Sequence, residues 1–386
     1  MTSERIASKP HLILLDALRG VAALIVIWYH CYEGFATSII DQGCNHGYLA
    51  VDFFFILSGF VIGYAYDDRM REGRVSTKGF FRRRLTRLHP MVVFGVVFGV
   101  ICFLAGGGKN WAGDTVPIRY VMLAMLLNLF LLPVIPGTKA DVRGNGEMFP
   151  LNGPHWSLFF EYIGNILYIL LLRKLPTKIL ASLTVVLGAV LTYMTISTGY
   201  LGIGWTLPDF LPGMVRMLFP YCAGMLLARC FMKRNEEGRA PLLPAFVRKH
   251  SFLICAALLL ILLPMHFIGG EERLWVNGLY VSFIILFVFP ILIWTAAEGS
   301  GCTLSERQRK AAALLGDVSY PLYAIHYPVM YLVYQYIGFP DVDRTMAEVW
   351  PVVLSAAVFC IILAWLVMKF YDKPLRQHGM RLLKDR

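Results

Sequence analysis

Three ionisable residues surround an apolar stretch near the start of the chain. Asp16 and Arg19 precede the run VAALIVIW at 21–28, and His30 follows it. On an α-helix, Arg19 and His30 return to nearly the same face, about 16 Å apart along the axis. An imidazole on such a face can act as a general base, and Asp16 can pair with Arg19. The structural alternative is a snorkelling ion pair, with His30 as an interfacial anchor.

A second apolar stretch, GYLAVDFFFILSGFVIGYAY, carries an aspartate and a serine among aromatic residues. We expect Asp52 to lie at a depth similar to that of His30 and to orient or charge the imidazole, as carboxylates do in many catalytic pairs. Ser58 precedes a glycine, a combination that also serves ordinary close packing of membrane helices.

A third stretch, HWSLFFEYIGN, forms a polar stripe on an apolar helix. Ser157, Glu161 and Asn165 recur every four residues, and this spacing places them on one face. His155 and Trp156 mark the start of the helix, where a tryptophan alone would be an ordinary interface aromatic.

A fourth stretch, SYPLYAIHYP, again places Ser319, Tyr323 and His326 on one face. A single buried histidine is more often structural than functional. Several polar stripes in one bundle nevertheless indicate an internal aqueous site, because an ionised residue at membrane depth costs about 2.5–3.5 kcal/mol or more.

The segment FFRRRLTRLHP at 80–90 is densely basic. Such clusters most often set membrane topology or contact anionic lipids. Arg84 and Arg87 could equally bind phosphates, because the guanidinium fork matches phosphate oxygens. The sequence has neither a P-loop nor a G-x-G-x-x-G motif, so neither ATP nor NAD is expected.

The composition indicates an all-α membrane protein. Of the 386 residues, 57% are hydrophobic and 16% are charged, against about 50% and 25% in soluble domains. The net charge of +11 comes largely from Lys and Arg between apolar runs, as in cytoplasmic loops, and predicts no nucleic-acid partner. The eight cysteines show no metal-ligand spacing, so no metal site is predicted. A disulfide between Cys31 and Cys44 is left open.

About ten apolar runs are long enough to cross a bilayer as helices. Basic residues predict that both termini, with tails at 1–10 and 372–386, are cytoplasmic. The shorter run 117–134 must then be re-entrant or interfacial, and the Gly- and Pro-rich segment 135–154 an outer loop. We predict one membrane domain over 1–386, a polytopic helical bundle with no appended soluble domain. The crossing runs are 11–32, 47–66, 89–106, 155–172, 179–199, 211–231, 251–268, 276–296, 315–336 and 349–371.

Five segments in order resemble acyltransferase family 3 of integral membrane proteins, over nearly the whole chain. LDALRGVAALIVIWYH resembles the opening helix of that family, with an arginine, ten intervening residues and a histidine. GYLAVDFFFILSGFVIGY is similar to its G-V-D-x-F-F-x-L-S-G-F segment. FRRRLTRLHP, HWSLFFE and SYPLYAIHYP resemble its R-x-x-R, H-x-W-S-L-x-x-E and S-Y-x-x-Y-x-x-H-x-P segments. Two features depart from the pattern: His155 directly adjoins Trp156, and only Glu161 of a commoner acidic pair is present.

The resemblance implies an acyltransferase that moves an acyl group, usually acetyl, from cytoplasmic acyl-CoA to a hydroxyl of a carbohydrate or cell-envelope glycan. Acyl-CoA is then a co-substrate, and no cofactor is permanently bound. The phosphates are expected on Arg84 and Arg87, with Arg19 farther along the donor channel. His30 is the expected general base or transient acyl carrier, and Asp52 is expected to hold its tautomer.

Glu161 is the third catalytic candidate. We expect a further set of side chains to bind the acceptor or to handle protons. These are Ser58, His155, Trp156, Ser157, Tyr323 and His326.

Two other functional classes are alternatives to the enzyme. A secondary transporter could export a glycan or small molecule through the same polar cavity, but inverted repeats and paired broken helices are not visible. A scaffold would have little use for several intramembrane titratable groups. The expected surroundings are the bilayer of a bacterial inner membrane and a carbohydrate or lipid-linked glycan acceptor. The sequence is also compatible with a homo-oligomer.

Overall fold

The computed structural model describes residues 9–342 and 344–382. Within these residues the fold is helical throughout, without β-strands and with two isolated β-bridges between loop residues. The α-helices are α1 (Ile13–Glu33), α2 (Ala50–Arg71), α3 (Thr77–Ala105), α4 (Ile118–Leu129), α5 (His155–Leu170), α6 (Thr177–Thr198), α7 (Phe210–Glu236), α8 (Ala245–Lys249), α9 (Ser251–Leu262), α10 (Leu274–Phe283), α11 (Phe289–Gly299), α12 (Glu306–Tyr336), α13 (Met346–Val367) and α14 (Lys373–Leu382).

Eight helical segments of the described chain are long and apolar enough to cross a membrane. They comprise α1, α2, α3, α5, α6, α7, the α10–α11 pair joined by a π-turn, and α13 continued into α14. These segments coincide with eight of the ten predicted runs. The chain is therefore a polytopic helical membrane protein, as predicted.

The other two predicted runs correspond to α9 and α12. α9 has 12 residues, because Pro264 follows and cannot continue the helix; the expected extension to residue 268 is wrong. α12 has 31 residues, enough for a crossing, but tyrosines and prolines make it polar for a lipid-facing helix. It packs against α1, α3 and α13, so protein covers its polar faces.

The segment 117–134 contains α4, a helix of 12 residues. At 1.5 Å per residue α4 is about 18 Å long, well short of a hydrocarbon core of roughly 30 Å. Leu123, Leu126 and Phe130 are exposed on it or at its end. α4 is therefore too short to cross the hydrocarbon core as a single helix, and the re-entrant or interfacial placement of the segment stays a prediction.

Glycines permit a close contact between α2 and α7. A Cβ atom added to Gly59 would lie 2.0 Å from the carbonyl oxygen of Tyr221, and one added to Gly224 would lie 2.0 Å from that of Ile56. Only glycine fits at either position. The two backbones are therefore in direct contact, as at small-residue crossings in membranes.

α12 is positioned against α1 in the same way. A Cβ at Gly20 would lie 2.5 Å from the carbonyl oxygen of Leu315, and one at Gly316 would lie 2.7 Å from the Cβ of Asp16. On another side of α12, Gly95 of α3 lies against the backbone. α12 is thus the central helix that joins α1 to α3.

One end of the bundle is densely basic. We call it the basic end, and it contains Lys9, Asp68, Leu175 and Arg229. Two contacts tie its connections together: Lys9 to Asp68 at 2.6 Å, and Arg229 to the carbonyl oxygen of Leu175 at 2.7 Å. The segment expected as a C-terminal tail is helical as far as Leu382 and packs on α3. Among the basic residues expected in the two tails, Arg5, Lys384 and Arg386 lie outside the described residues.

Three loops cover the opposite end. The backbone N–H of Met148 donates to Trp205, and that of Trp111 donates to Arg143, each at 3.0 Å. The Gly- and Pro-rich segment 135–154 therefore folds over the start of α5, as expected. All eight cysteines lie in described residues and are free thiols, so the question of a disulfide is answered in the negative. The three loops are 106–117, 130–154 and 199–209.

Candidate active site

A cavity of about 100 Å³ lies between α1, α2, α3, α5 and α12, nearer the basic end. We call it the basic cavity. It gathers residues from all five segments singled out in the sequence, although they are far apart along the chain. Its charged and hydroxyl-bearing lining residues are Arg19, Ser58, Arg84, Arg87, Ser157, Glu161, Asp317, Ser319, Tyr320, Tyr323 and Arg376.

Arg19 joins α1 to α12. Its Nε donates to Ser319 Oγ at 2.8 Å, and one terminal nitrogen donates to the carbonyl oxygen of Gly316 at 2.7 Å. The other terminal nitrogen lies 3.0 Å from Asp16, as predicted. All three nitrogens thus have a partner, and the guanidinium adds positive charge to the cavity wall.

Glu161 is bound inside the basic cavity. Arg84 donates to its Oε1 at 2.5 Å and Ser58 donates to the same oxygen at 2.9 Å. The sequence showed no local cation for this acid, and the partner comes from α3. Glu161 therefore does not lie beside His30, which faces a different cavity.

Two further guanidinium groups in the basic cavity have free donors. Arg87 makes no hydrogen bond or ion pair with any residue in the described part of the chain. Arg376 binds Asp372 at 2.6 Å, but its Nε and the Nε of Arg84 have no partner among the described residues. Unpaired arginine donors that face a cavity match phosphate oxygens. Arg376 was not among the predicted residues.

A second cavity of about 240 Å³ lies toward the opposite end, and we call it the aromatic cavity. The helices α1 and α12 and the three loops contribute to its wall. Flat aromatic faces with a few polar groups are typical of sites for small organic ligands. Its aromatic lining residues are Tyr29, Tyr48, Trp111, Trp156, Tyr200, Trp205, Tyr323, Tyr327, Tyr331, Tyr334 and Phe339.

His30 faces the aromatic cavity and is held by Glu33. Its Nδ1 lies 2.8 Å from Glu33 Oε2. The hydroxyls of Tyr327 and Tyr334 donate to the same oxygen at 3.1 and 3.0 Å. Because a carboxylate only accepts, Nδ1 carries the proton and Nε2 is the free acceptor of the ring. This arrangement suits a general base.

Asp52 does not make the predicted contact with His30. Its carboxylate accepts from Arg216 Nε at 3.0 Å and from a terminal nitrogen of the same arginine at 2.9 Å. The side chains of Arg216 and Asp52 are 2% and 0% exposed. Arg216 on α7 satisfies the acid across the glycine crossing, and Glu33 takes the place beside the imidazole.

Arg216 also forms part of the wall of the aromatic cavity. Its remaining terminal nitrogen donates to the carbonyl oxygen of Ile203 at 2.8 Å. The guanidinium lies 4.9 Å from the ring centroid of Trp156, which faces the same cavity. The predicted residue Trp156 is therefore in the site, held by a cation–π contact.

Glu147 is the second carboxyl group of the aromatic cavity. The hydroxyl of Tyr331 donates to one of its oxygens, and the amide of Asn145 donates to the other at 2.9 Å. Arg143 lies over the Tyr331 ring, 3.8 Å from the centroid. Burial raises the pKa of Glu147 above its ordinary value, whereas the hydrogen bonds act in the opposite direction.

The two other predicted histidines line neither cavity. His155 is buried, with Nε2 3.1 Å from the amide of Asn152. His326 is buried behind His30, with ring centroids 5.2 Å apart, and its Nδ1 donates to the carbonyl oxygen of Tyr323 at 2.9 Å. The structure thus shows no route from the cavities to either ring.

The two cavities lie back to back, because Val51 and Tyr323 line both. We call this pair of residues the partition. The Tyr323 hydroxyl lies 2.6 Å from Ser157 Oγ and donates to the carbonyl oxygen of Pro154 at 3.1 Å. The ring of Phe54 packs edge-on against Tyr323, at 5.5 Å between centroids.

The sequence contained signals for some residues that the predictions omitted. Glu33 follows His30 by three residues, a spacing that places two side chains on one helix face. Arg216 is an unpaired arginine inside an apolar run, and such a residue requires an acid such as Asp52. Glu147 and Arg376 lie in polar surroundings, where nothing distinguishes them locally.

Residues 12–369 match a family described as an acyltransferase domain. Protein 2 in the picA locus of Rhizobium radiobacter is 35% identical over 162 residues, which are 40% of this chain and 80% of that protein. The O-acetyltransferase OatA of Staphylococcus aureus is 24% identical over 397 residues, which are 98% of this chain and 59% of that protein.

YrhL of Bacillus subtilis, named as a candidate peptidoglycan O-acetyltransferase, is 27% identical over 388 residues, or 96% of this chain. The chain spans 59% and 56% of the lengths of OatA and YrhL. No solved structure matches it.

Proposed function

Because the chain belongs to this acyltransferase family and is a multi-pass membrane enzyme that transfers acyl groups, we propose that its donor is acyl-CoA and its acceptor a glycan hydroxyl. The observation that carries the proposal is the pair of back-to-back cavities. One is lined by arginines, and the other presents a histidine–glutamate pair among aromatic rings.

The donor enters the basic cavity from the basic end, which is the cytoplasmic face. The density of Lys and Arg there supports this orientation. Arg84, Arg87 and Arg376 bind the phosphates of CoA, since all three line this cavity and each has an N–H donor without a partner among the described residues. The pantetheine arm then points toward the partition.

The acceptor occupies the aromatic cavity on the outer side. Aromatic faces cover the apolar faces of a sugar ring, and Glu147, Asn145 and Glu33 offer hydrogen-bond partners to its hydroxyls. OatA is named as an O-acetyltransferase and YrhL as a candidate peptidoglycan O-acetyltransferase. These names support a cell-envelope glycan as the acceptor of this chain, and the membrane that we propose for it is a bacterial inner membrane.

The chemistry is direct acyl transfer. The acceptor oxygen attacks the thioester carbonyl while His30 Nε2 takes the hydroxyl proton. The C–S bond then breaks, the ester forms, and the imidazolium returns the proton to the CoA thiolate. Glu33 stabilises the imidazolium and fixes the tautomer.

His30→Ala tests this proposal. We expect kcat to fall about 10²- to 10⁴-fold, the usual contribution of a positioned general base. The assay follows acetyl-labelled acetyl-CoA and isolated bacterial cell-envelope glycan with the protein reconstituted in vesicles. His250→Ala, at the basic end, is the control and is expected to leave the rate unchanged. Transfer by His30→Ala at the rate of the unsubstituted protein would contradict the proposal.

A further inference from the structure

We propose that Val51 sets the length of the acyl group that this enzyme transfers. The proposal rests on the function proposed above and adds a specificity-determining residue to it. It is carried by the partition, where the arginine-lined cavity and the cavity of His30 meet.

The two substrates meet at the partition. The candidate phosphate ligands Arg87 and Arg376 line the basic cavity alone, and His30 lines the aromatic cavity alone. Transfer requires the thioester carbonyl within reach of an acceptor oxygen that is hydrogen-bonded to His30. The carbonyl carbon must therefore come to the boundary between the cavities, and the rest of the acyl chain must fit beside Val51 and Tyr323.

Tyr323 is the fixed side of this boundary. Its hydroxyl is bound to Ser157 and to the backbone of Pro154, and Phe54 packs against the ring. These contacts come from two other helices, so the ring cannot turn away without losing two hydrogen bonds. The space for the acyl chain therefore depends on the residue on the other side of the boundary.

Val51 is that other side. It is 7% exposed, makes no hydrogen bond through its side chain, and has one strongly preferred χ1 rotamer on a helix because it is β-branched. Its helix is held against α7 by the contact at Gly59, so α2 cannot retreat to admit a longer chain. The two methyl groups of Val51 thus limit the width of the passage, and acetyl is the expected acyl group.

Donor competition with Val51 variants tests the inference. The specificity constant kcat/KM is measured for acetyl-, propionyl- and butyryl-CoA with the full-length protein in vesicles and isolated cell-envelope glycan as acceptor. Val51→Ala is expected to raise the butyryl-to-acetyl ratio at least about tenfold, the usual discrimination for one or two methylenes in a pocket. Val51→Ile is expected to lower the propionyl-to-acetyl ratio.

Val61→Ala is the matched control. Val61 lies on the same helix and lines the basic cavity but not the aromatic one, so the same loss of volume should leave both ratios unchanged. Each ratio is taken within one preparation, which cancels differences in the amount of folded protein.

The outcomes separate this inference from the function on which it rests. Acetyl transfer by the unsubstituted protein with unchanged ratios in Val51→Ala overturns the inference alone. If Val51→Ala does not fold, an unchanged propionyl-to-acetyl ratio in Val51→Ile overturns it. Absence of transfer from all three thioesters by the unsubstituted protein overturns the proposed function and the inference together.

Discussion

The carboxylate that holds His30 comes from its own helix. Glu33 is three residues further along α1, and two tyrosines of α12 donate to the same Glu33 oxygen that faces the imidazole. The pair of His30 and Glu33 is therefore formed within α1 and is held in place by α12, which lies far away along the chain. This order explains why Asp52, the acid expected from the sequence, is free to form a buried pair with Arg216.

Glu33→Gln is expected to lower kcat at least about tenfold, because an amide can hold the wrong tautomer of His30 as readily as the right one. The KM for acyl-CoA should change little, since the proposed donor site is in the other cavity. Glu33→Asp keeps the charge and should recover part of kcat. The measurement is steady-state kinetics in vesicles with Glu72→Gln as an exposed control; a loss confined to KM would argue against this positioning role.

At the residue scale, the sequence predicted which polar residues line a cavity better than it predicted which residues they pair with. Arg19, His30, Ser58, Arg84 and Glu161 all face one cavity or the other, as expected of polar residues at membrane depth. Their partners could not be read from the chain, because a pairing such as that of Arg84 with Glu161 depends on how two helices are rotated. His155 and His326 show the opposite case. Their residue type suited a catalytic role, but both rings are buried in the packed interior and line neither cavity.

At the scale of elements, apolar runs predicted most helices because the bilayer dictates their length and composition. The prediction of crossing helices was less accurate where a helix is surrounded by other helices and not by lipid. α12 is covered by α1, α3 and α13 and needs no apolar surface, and α9 is cut short by Pro264. The position of most helices along the chain was predictable, but the neighbours of each helix were not.

Gly59→Ala tests the crossing of α2 and α7. The new methyl group would lie 2.0 Å from the carbonyl oxygen of Tyr221, so the backbones must separate, at a cost of about 1–3 kcal/mol or more. We expect a lower Tm in detergent solution. Gly63→Ala is the matched control on the same helix, because the nearest atom to its Cβ would be the Cβ of Ala228 at 3.1 Å, with backbone atoms no nearer than 3.5 Å. Equal Tm values for the two variants would show that the crossing is not tight.

At the scale of the whole molecule, Glu147 joins the parts that close the end opposite the basic end. Its loop pairs with residue 206 of the loop 199–209, and its carboxyl group binds Tyr331 of α12. The neighbouring Arg143 binds the loop 106–117 through the backbone of Trp111. Three loops and the central helix therefore meet at one buried acid.

The raised pKa of Glu147 predicts a pH dependence of stability. The folded protein favours the protonated form of Glu147, so protonation of this acid stabilises the fold. The stabilisation is fully present below the ordinary pKa of 4.5 and is lost as the pH rises through the raised pKa of the folded state. The charged and polar groups that face it are Tyr331, Asn145, Arg143 and Glu33.

Glu147→Gln mimics the protonated acid and cannot titrate. The Tm of the unsubstituted protein should fall as the pH is raised above 4.5, whereas the Tm of Glu147→Gln should fall less. Thermal unfolding in detergent across this range provides the measurement, with Asp114→Asn in an exposed loop as control. Parallel curves for the unsubstituted protein and Glu147→Gln would rule out this acid as the source.

The contact between α1 and α12 has a consequence for biogenesis. Arg19 is anchored to Ser319, 300 residues later in the chain, and Glu33 is held by Tyr327 and Tyr334. While the nascent chain leaves the ribosome, the first helix therefore waits in the bilayer until the twelfth is inserted. Only then do the arginine, the histidine and its carboxylate reach the positions that they have in the folded protein, so a truncated or half-made chain lacks the assembled candidate site.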